Sequence, residues 1–221
     1  MKTRTFFAAL AAAALLAVPA VANAQRGDSE GRRGDGPSRV DWTRTTERTP
    51  EHGFRIGNPN ARFKMIEYLS LTCEHCARFA ADSSSRLYPD LVRRGVVSVE
   101  YRNFVLNGFD MAAAMISRCA SPREYFNMTH YLLGNQPRWL GRAQGLTEAQ
   151  RNELRGLQPM QAMQRLVAML GLDVIAARHG ITPSRAQACL TDQRNLDQIA
   201  ALQAGGRALG VEGTPTFFIN G

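Results

Sequence analysis

The chain has 221 residues and a mass of 24.4 kDa, with 44% hydrophobic and 21% charged residues; that is enough apolar material for one or two modest domains with a core, and it excludes a disordered or collagen-like chain. The formal charge of +8 is almost wholly arginine, since Lys2 and Lys64 are the only lysines among 27 basic residues. The arginines are scattered along the chain without a basic cluster, so no nucleic-acid partner is expected.

Residues 1–24 read as a signal peptide. Lys2 and Arg4 form a cationic start, an apolar run follows from Phe6 to Val18, and Ala22-Asn23-Ala24 supplies the small residues that a signal peptidase reads, with cleavage expected after Ala24. The run is shorter than the roughly 20 apolar residues of a membrane span; an uncleaved anchor is the competing reading. Export predicts a periplasmic protein whose four cysteines can pair as two disulfides. Residues 25–52 are rich in Arg, Gly, Asp, Ser and Thr and predict a disordered linker. Arg26-Gly27-Asp28 and Arg33-Gly34-Asp35 spell an adhesion tripeptide, which such a composition produces by chance.

Order is expected from Gly53. Phe54–Ile56 is a short strand candidate, Gly57-Asn58-Pro59-Asn60 a turn, and Phe63–Leu69 a strand covered on both faces. Cys73-Glu74-His75-Cys76 follows, then a helix from Cys76 to Arg94 closed by Gly95, then a strand from Val96 to Leu106. Strand, CxxC, helix and strand form one βαβ unit in residues 53–107. Residues 108–205 predict an all-helical insertion, with helical periodicity over 111–119, 122–133, 147–156, 159–179 and 183–209 and start signals at Ser121-Pro122 and Thr182-Pro183. Residues 206–221 return to the first layer through Gly213-Thr214-Pro215-Thr216-Phe217-Phe218-Ile219-Asn220-Gly221, a strand with proline at its entry and an Asn-Gly turn at its end.

Two cysteines three apart at a helix start can close a small reducible disulfide. With Thr72 as the expected N-cap and Cys73 at the first helical position, the helix dipole and free N–H groups favour a Cys73 thiolate, while Cys76, one turn deeper, is the resolving thiol. His75 reinforces that thiolate and Glu74 opposes it, so the motif leaves the redox poise open. The competing reading is a metal site on Cys73, Cys76 and His75, but neither Cys119 nor Cys189 has a second ligand at suitable spacing. Cys119 and Cys189 lie near the ends of predicted helices among alanines and small or apolar neighbours, and are expected to form a structural disulfide; two separate buried thiols are the alternative. Met111, Met115, Met128, Met160, Met163 and Met169 could line a peptide groove or simply pack a core. Trp139 reads as an anchor of the helical region, and His130 and His179 as isolated.

Met65-Ile66-Glu67-Tyr68-Leu69-Ser70-Leu71-Thr72-Cys73-Glu74-His75-Cys76, the long helical insertion and the Gly213–Gly221 segment together resemble a DsbA-like thiol-disulfide oxidoreductase of the thioredoxin superfamily, over about Gly53 to Gly221. The resemblance implies an α/β thioredoxin-like fold with an inserted all-helical domain, and an enzyme, a protein dithiol-disulfide oxidoreductase, that needs no cofactor beyond its redox-active disulfide and no metal. It implies that Cys73 attacks and accepts, Cys76 resolves and His75 stabilises the thiolate. Pro215 becomes a cis-proline packed against the disulfide, and Thr214 offers backbone groups to substrate. Glu67 matches a buried acid beneath the active site that relays protons to Cys76; an exposed edge carboxylate facing Lys64 is the alternative. Implied partners are unfolded or reduced exported proteins and a quinone-linked membrane protein that reoxidises the enzyme. Reductase or isomerase action on the same fold, and non-enzymatic metal or peptide binding, are the alternatives. Glu74 departs from the proline of the best-known strong oxidants. The family continues past the Asn-Gly turn with another strand and helix, so the second part of the thioredoxin-like domain is expected to be truncated here.

Overall fold

The structure, a computed structural model, describes residues 40–221; the expected signal peptide and the linker up to residue 39 lie outside the described residues. Five strands form one sheet: β1 (Thr46–Arg48), β2 (Phe54–Ile56), β3 (Phe63–Leu69), β4 (Val97–Asn103) and β5 (Thr216–Ile219), in the order β1-β2-β4-β3-β5. β3 and β4 run parallel in register from Phe63↔Val97 to Leu69↔Asn103, and the other pairs are antiparallel. A parallel pair needs a long crossover between its strands. Here the crossover is α1 (Glu74–Ser83) followed by a π-helical turn over Leu87–Val92.

Because side chains alternate between the faces of a strand, Met65, Glu67 and Leu69 of β3 share one face with Val97, Val99 and Tyr101 of β4. That face carries the main core, which includes Cys76 of α1 and Tyr125 and Phe126 of α3 (Pro122–Gly134). Tyr68 points the other way and packs with Phe104 and Val211. There α9 (Gln193–Ala208) comes so close that a Cβ on Gly206 would sit 2.8 Å from the Tyr68 ring, so this crossing requires glycine. The remaining helices are α2 (Gly108–Ser117), α4 (Gln136–Gln144), α5 (Glu148–Gly156), α6 (Pro159–Leu170), α7 (Leu172–Arg178) and α8 (Pro183–Leu190). Ser121 and Thr182 cap α3 and α8 just ahead of proline, each accepting a backbone N–H three residues on.

Four expectations need correction. Residues 42–48, assigned to the disordered linker, carry a 3-10 turn (Trp42–Arg44) and β1, which pairs with β2 from Thr46↔Ile56 to Arg48↔Phe54. Polar Thr-Glu-Arg residues add a strand because the backbone supplies the pairing, while Asp41 caps the turn and Trp42 packs on Gly95. The helix expected over 76–94 stops at Ser83 before the π-helical turn. The periodic stretches 159–179 and 183–209 are two helices each. Gly171, at φ +67°, separates α6 from α7, and Asp192, whose carboxylate accepts the Arg194 N–H, starts α9 afresh. Lastly, α4 was not foreseen in the sequence between the predicted segments 122–133 and 147–156.

Cys119, just after α2, and Cys189, in the last turn of α8, are joined as a disulfide with their Cα atoms 5.7 Å apart, so the bridge ties two helices of the insertion together. The methionines are packing residues: Met115 and Met128 are fully buried, while Met111, Met160, Met163 and Met169 pack against the core edge. Trp139 is buried, with its indole N–H donated to Leu132 O at 2.9 Å.

Candidate redox-active site

The turn from β3 into α1 is held from the helical region. Asp110, in the first turn of α2, accepts Leu71 N–H on Oδ1 at 2.8 Å and Leu106 N–H on Oδ2 at 2.9 Å, tying the β3–α1 turn to the chain that leaves β4. Burial pushes its carboxyl up to about 6, against the pull of those donors. Gln136, the first residue of α4, is buried and donates its side-chain amide to Leu71 O at 2.8 Å and Cys73 O at 2.9 Å. Asn107 donates to Thr72 Oγ1, which also lies 3.1 Å from Ser70 Oγ.

With its hydroxyl engaged in this way, Thr72 does not cap the helix. Cys73 is the N-cap (φ −83°, ψ 121°), one residue later than the expected Thr72, and Ala77 N–H bonds back to its carbonyl. The Cys73 sulfur therefore sits at the mouth of the first turn, where backbone N–H groups lack helical partners. Cys73 and Cys76 are both free thiols; Cys73 is half-buried, and Cys76 is fully buried. The Cys73 thiol donates to Thr214 O at 3.1 Å, and the Thr214–Pro215 peptide bond is cis. Residues 141 positions apart thus meet at one sulfur. Burial pushes the Cys76 thiol well above its ordinary range, with smaller upward pushes from Cys73 and Glu67.

His75 is exposed, and among the described residues no hydrogen bond or ion pair reaches its ring. Glu74 pairs with Arg78 at 2.7 Å across one exposed helical turn. Glu67 is 1% exposed in β3, between β4 and β5, so the reading of an edge carboxylate facing Lys64 does not hold. Its Oε2 is buried without a hydrogen-bond partner, and burial pushes the carboxyl up to about 8.

The sequence did not reveal Asp110 and Gln136, which reach the site across 39 and 65 positions respectively. Nor did it reveal the group beside Glu67, where Tyr101, Tyr88 and His130 hydrogen-bond to one another. The one available signal was an acid and an amide within otherwise helix-favouring segments. Among the described residues no three His, Cys, Asp or Glu side chains converge as a metal cluster.

A half-exposed cysteine at a helix start, a buried partner one turn on and a cis-proline beside them are the parts that thiol-disulfide exchange uses: an accessible sulfur, an intramolecular resolving sulfur and a backbone edge next to both. Comparison with known proteins agrees. The thioredoxin family model matches residues 49–221. A Rickettsia bellii protein, whose name assigns it provisionally to the protein-disulfide oxidoreductases, is 26% identical over 184 residues, covering 80% of this chain and 61% of the relative. The chain thus spans about three fifths of the length of that curated relative. Among solved structures, a protein-disulfide isomerase from Novosphingobium aromaticivorans superposes with a TM-score of 0.69 at 29% identity, covering 76% of this chain and 86% of the other. Wolbachia pipientis alpha-DsbA1 superposes with a TM-score of 0.61 at 25% identity, over 77% of this chain and 75% of the other. Sheet order, helical insertion and matched residues together show that the chain belongs to the thioredoxin family, among its DsbA-like members.

Proposed function

We propose that the chain is an exported, periplasmic protein dithiol-disulfide oxidoreductase that donates a Cys73–Cys76 disulfide to reduced or unfolded exported proteins. The observation that carries this reading is the asymmetry of the pair: Cys73 is reachable at the mouth of α1 against Thr214 O, while Cys76 lies buried behind it. A substrate thiolate attacks Cys73 Sγ, the bond to Cys76 breaks, and its electron pair leaves on Cys76 Sγ. A second substrate thiolate then attacks the mixed disulfide at the substrate sulfur, forming the product disulfide and releasing Cys73 as a thiolate. The Thr214 and Pro215 backbone offers an extended substrate segment an edge beside Cys73. Glu67, buried with its Oε2 unpartnered, supplies the proton that the departing Cys76 thiolate needs. His75, at the exposed surface next to Cys73, favours the thiolate when protonated. The signal-like residues 1–24 support export, and a quinone-linked membrane protein would restore the disulfide.

Cys73→Ser is expected to abolish exchange and Cys76→Ser to accumulate covalent complexes with reduced substrate, read on non-reducing gels. Trapping by Cys73→Ser instead would show the roles to be reversed. The isomerase name of the Novosphingobium relative favours a second reading, in which the same site works in the reduced state. Equilibration with glutathione separates the two: a potential near −120 mV supports the donor, and one near −270 mV supports the reduced enzyme.

A further inference from the structure

Glu67 lies deep in the molecule, and whichever proton it gives must be replaced. Its parallel-strand partner in β4 is Tyr101, so the two side chains rise from the same face of the sheet. Tyr101 is 2% exposed, yet its hydroxyl is not isolated: it lies 2.5 Å from Tyr88 Oη of the π-helical turn and 3.0 Å from His130 Nε2 of α3, and His130 Nε2 is 3.3 Å from Tyr88 Oη. Tyr88 and His130 are half-buried and line a cleft of about 480 Å³, walled also by Ala77 and Ala80 of α1 and by Phe126 of α3. The three groups therefore lead from the neighbour of Glu67 on the sheet face to the cleft, with no hydrogen bond between Tyr101 Oη and the Glu67 carboxyl in this state, and they emerge along the flank of α1 rather than at the Cys73 opening.

We propose that Tyr101, Tyr88 and His130 form the proton passage that reloads Glu67 from the cleft beside α1. The proposal rests on the reading of Glu67 as the acid for Cys76. When substrate sulfur bonds to Cys73, the Cys73–Cys76 bond breaks and its electron pair goes to Cys76 Sγ. The Glu67 carboxyl proton follows to that sulfur, leaving a carboxylate. The new carboxylate, unlike the neutral acid, draws the Tyr101 hydroxyl to it as a donor and takes its proton, and Tyr101 takes another from Tyr88 or His130, which draw on water or buffer acid in the cleft. No electrons move in these later steps, and one solvent proton is consumed.

The electrostatics suit such a passage. The titratable groups around Glu67 are Cys76 from α1, Tyr101 from β4, Tyr88 from the π-helical turn and His130 from α3, while β5 presents the apolar Phe217 opposite it. Burial, with a smaller push from the Glu67 charge, raises both phenols well above their ordinary range, so they stay protonated and can hand a proton on. Burial lowers His130 to about 4, leaving at pH 7 a neutral imidazole with one N–H and one lone pair.

The test is single-turnover reduction of the oxidised full chain by a model dithiol, in weak buffer and in both H₂O and D₂O. His130→Ala should slow turnover about 10-fold and enlarge the solvent isotope effect. Added imidazole should restore the rate, whereas pyrazole, of the same size but far less basic, should not. Tyr88→Phe, which keeps the ring, should slow turnover as well, and provides the test if His130→Ala fails to fold. Wild-type rate, isotope effect and buffer independence in the His130 and Tyr88 variants, alongside a Glu67→Gln variant that has lost its pH inflection, would overturn the passage but leave the role of Glu67 standing. An unchanged pH profile in Glu67→Gln would remove both.

Discussion

At the scale of single residues, a buried carboxyl whose second oxygen has no partner burdens the fold whenever it is charged. In the unfolded chain Glu67 releases its proton near 4.5, and in the folded chain only near 8. Between those values the folded state holds a proton that the unfolded state has lost, so stability falls as pH rises across that window and is level outside it. The interval corresponds to about 3 to 5 kcal/mol at roughly 1.4 kcal/mol per pKa unit. Glu67→Gln is therefore expected to stabilise the protein by about that amount at pH 8.5 and by little at pH 4, in urea melts of the otherwise wild-type chain. A stability difference that does not change with pH would show that the carboxyl is not held in an apolar site. Asp110 behaves in the same sense over a narrower window because, unlike Glu67, both of its oxygens accept backbone donors. An acid kept protonated at such a cost is what the proposed proton-donor role of Glu67 requires.

At the scale of elements, the helical insertion buttresses the thioredoxin-like site. α4 delivers Gln136, whose two hydrogen bonds fix the carbonyls of Leu71 and Cys73 just where β3 becomes α1. Gln136→Ala leaves the Leu71 carbonyl unpaired in a buried setting and the Cys73 carbonyl with the Ala77 N–H alone, and is expected to cost about 2 kcal/mol and to speed amide exchange in residues 71–76 while α5 and α6 keep their protection. Uniform loss of protection across the molecule would point to a general packing defect. The same contact shows where sequence reading stops. β3, β4, the CxxC helix start and the capped starts of α3 and α8 are written in local pattern: runs rich in aromatic and β-branched residues, and Ser-Pro and Thr-Pro ahead of helices. β1 escapes such a reading because Thr46, Glu47 and Arg48 owe their conformation to β2, whose backbone pairs with theirs and whose Arg55 and Phe54 meet the Glu47 and Arg48 side chains. The break at Gly171 hides within continuous apolar periodicity, since a single left-handed residue turns the chain without interrupting the pattern. At the site, Cys73, Cys76 and Pro215 stand out by spacing and residue type. Gln136, Asp110 and the Tyr101–Tyr88–His130 group do not, because each acts through a contact made only when distant segments pack.

At the scale of the whole molecule, the two cysteine pairs sit in different settings. Cys73 lies at a helix mouth within reach of solvent, whereas Cys119 is buried and joined across 70 positions to Cys189, bridging α2 and α8 in the layer that carries Asp110 and supports the active-site turn. Closing a loop of that length restricts the unfolded chain by up to about 4 kcal/mol. Reduction of this bridge should therefore lower stability by a few kcal/mol at most, and in the native protein it should lag far behind that of Cys73 and Cys76, because the core covers Cys119 and leaves Cys189 only half-exposed. Mild dithiothreitol on native protein, followed by alkylation, is expected to tag Cys73 and Cys76 alone. Cys119 and Cys189 should appear only after unfolding with strong reductant. Labelling of that pair in denaturant without reductant would mean that the bridge does not form in the purified protein. Labelling of all four cysteines under the mild native conditions would mean that the insertion opens far more readily than its packing around Cys119 implies, so that the helical layer could not hold the active-site turn in place during exchange.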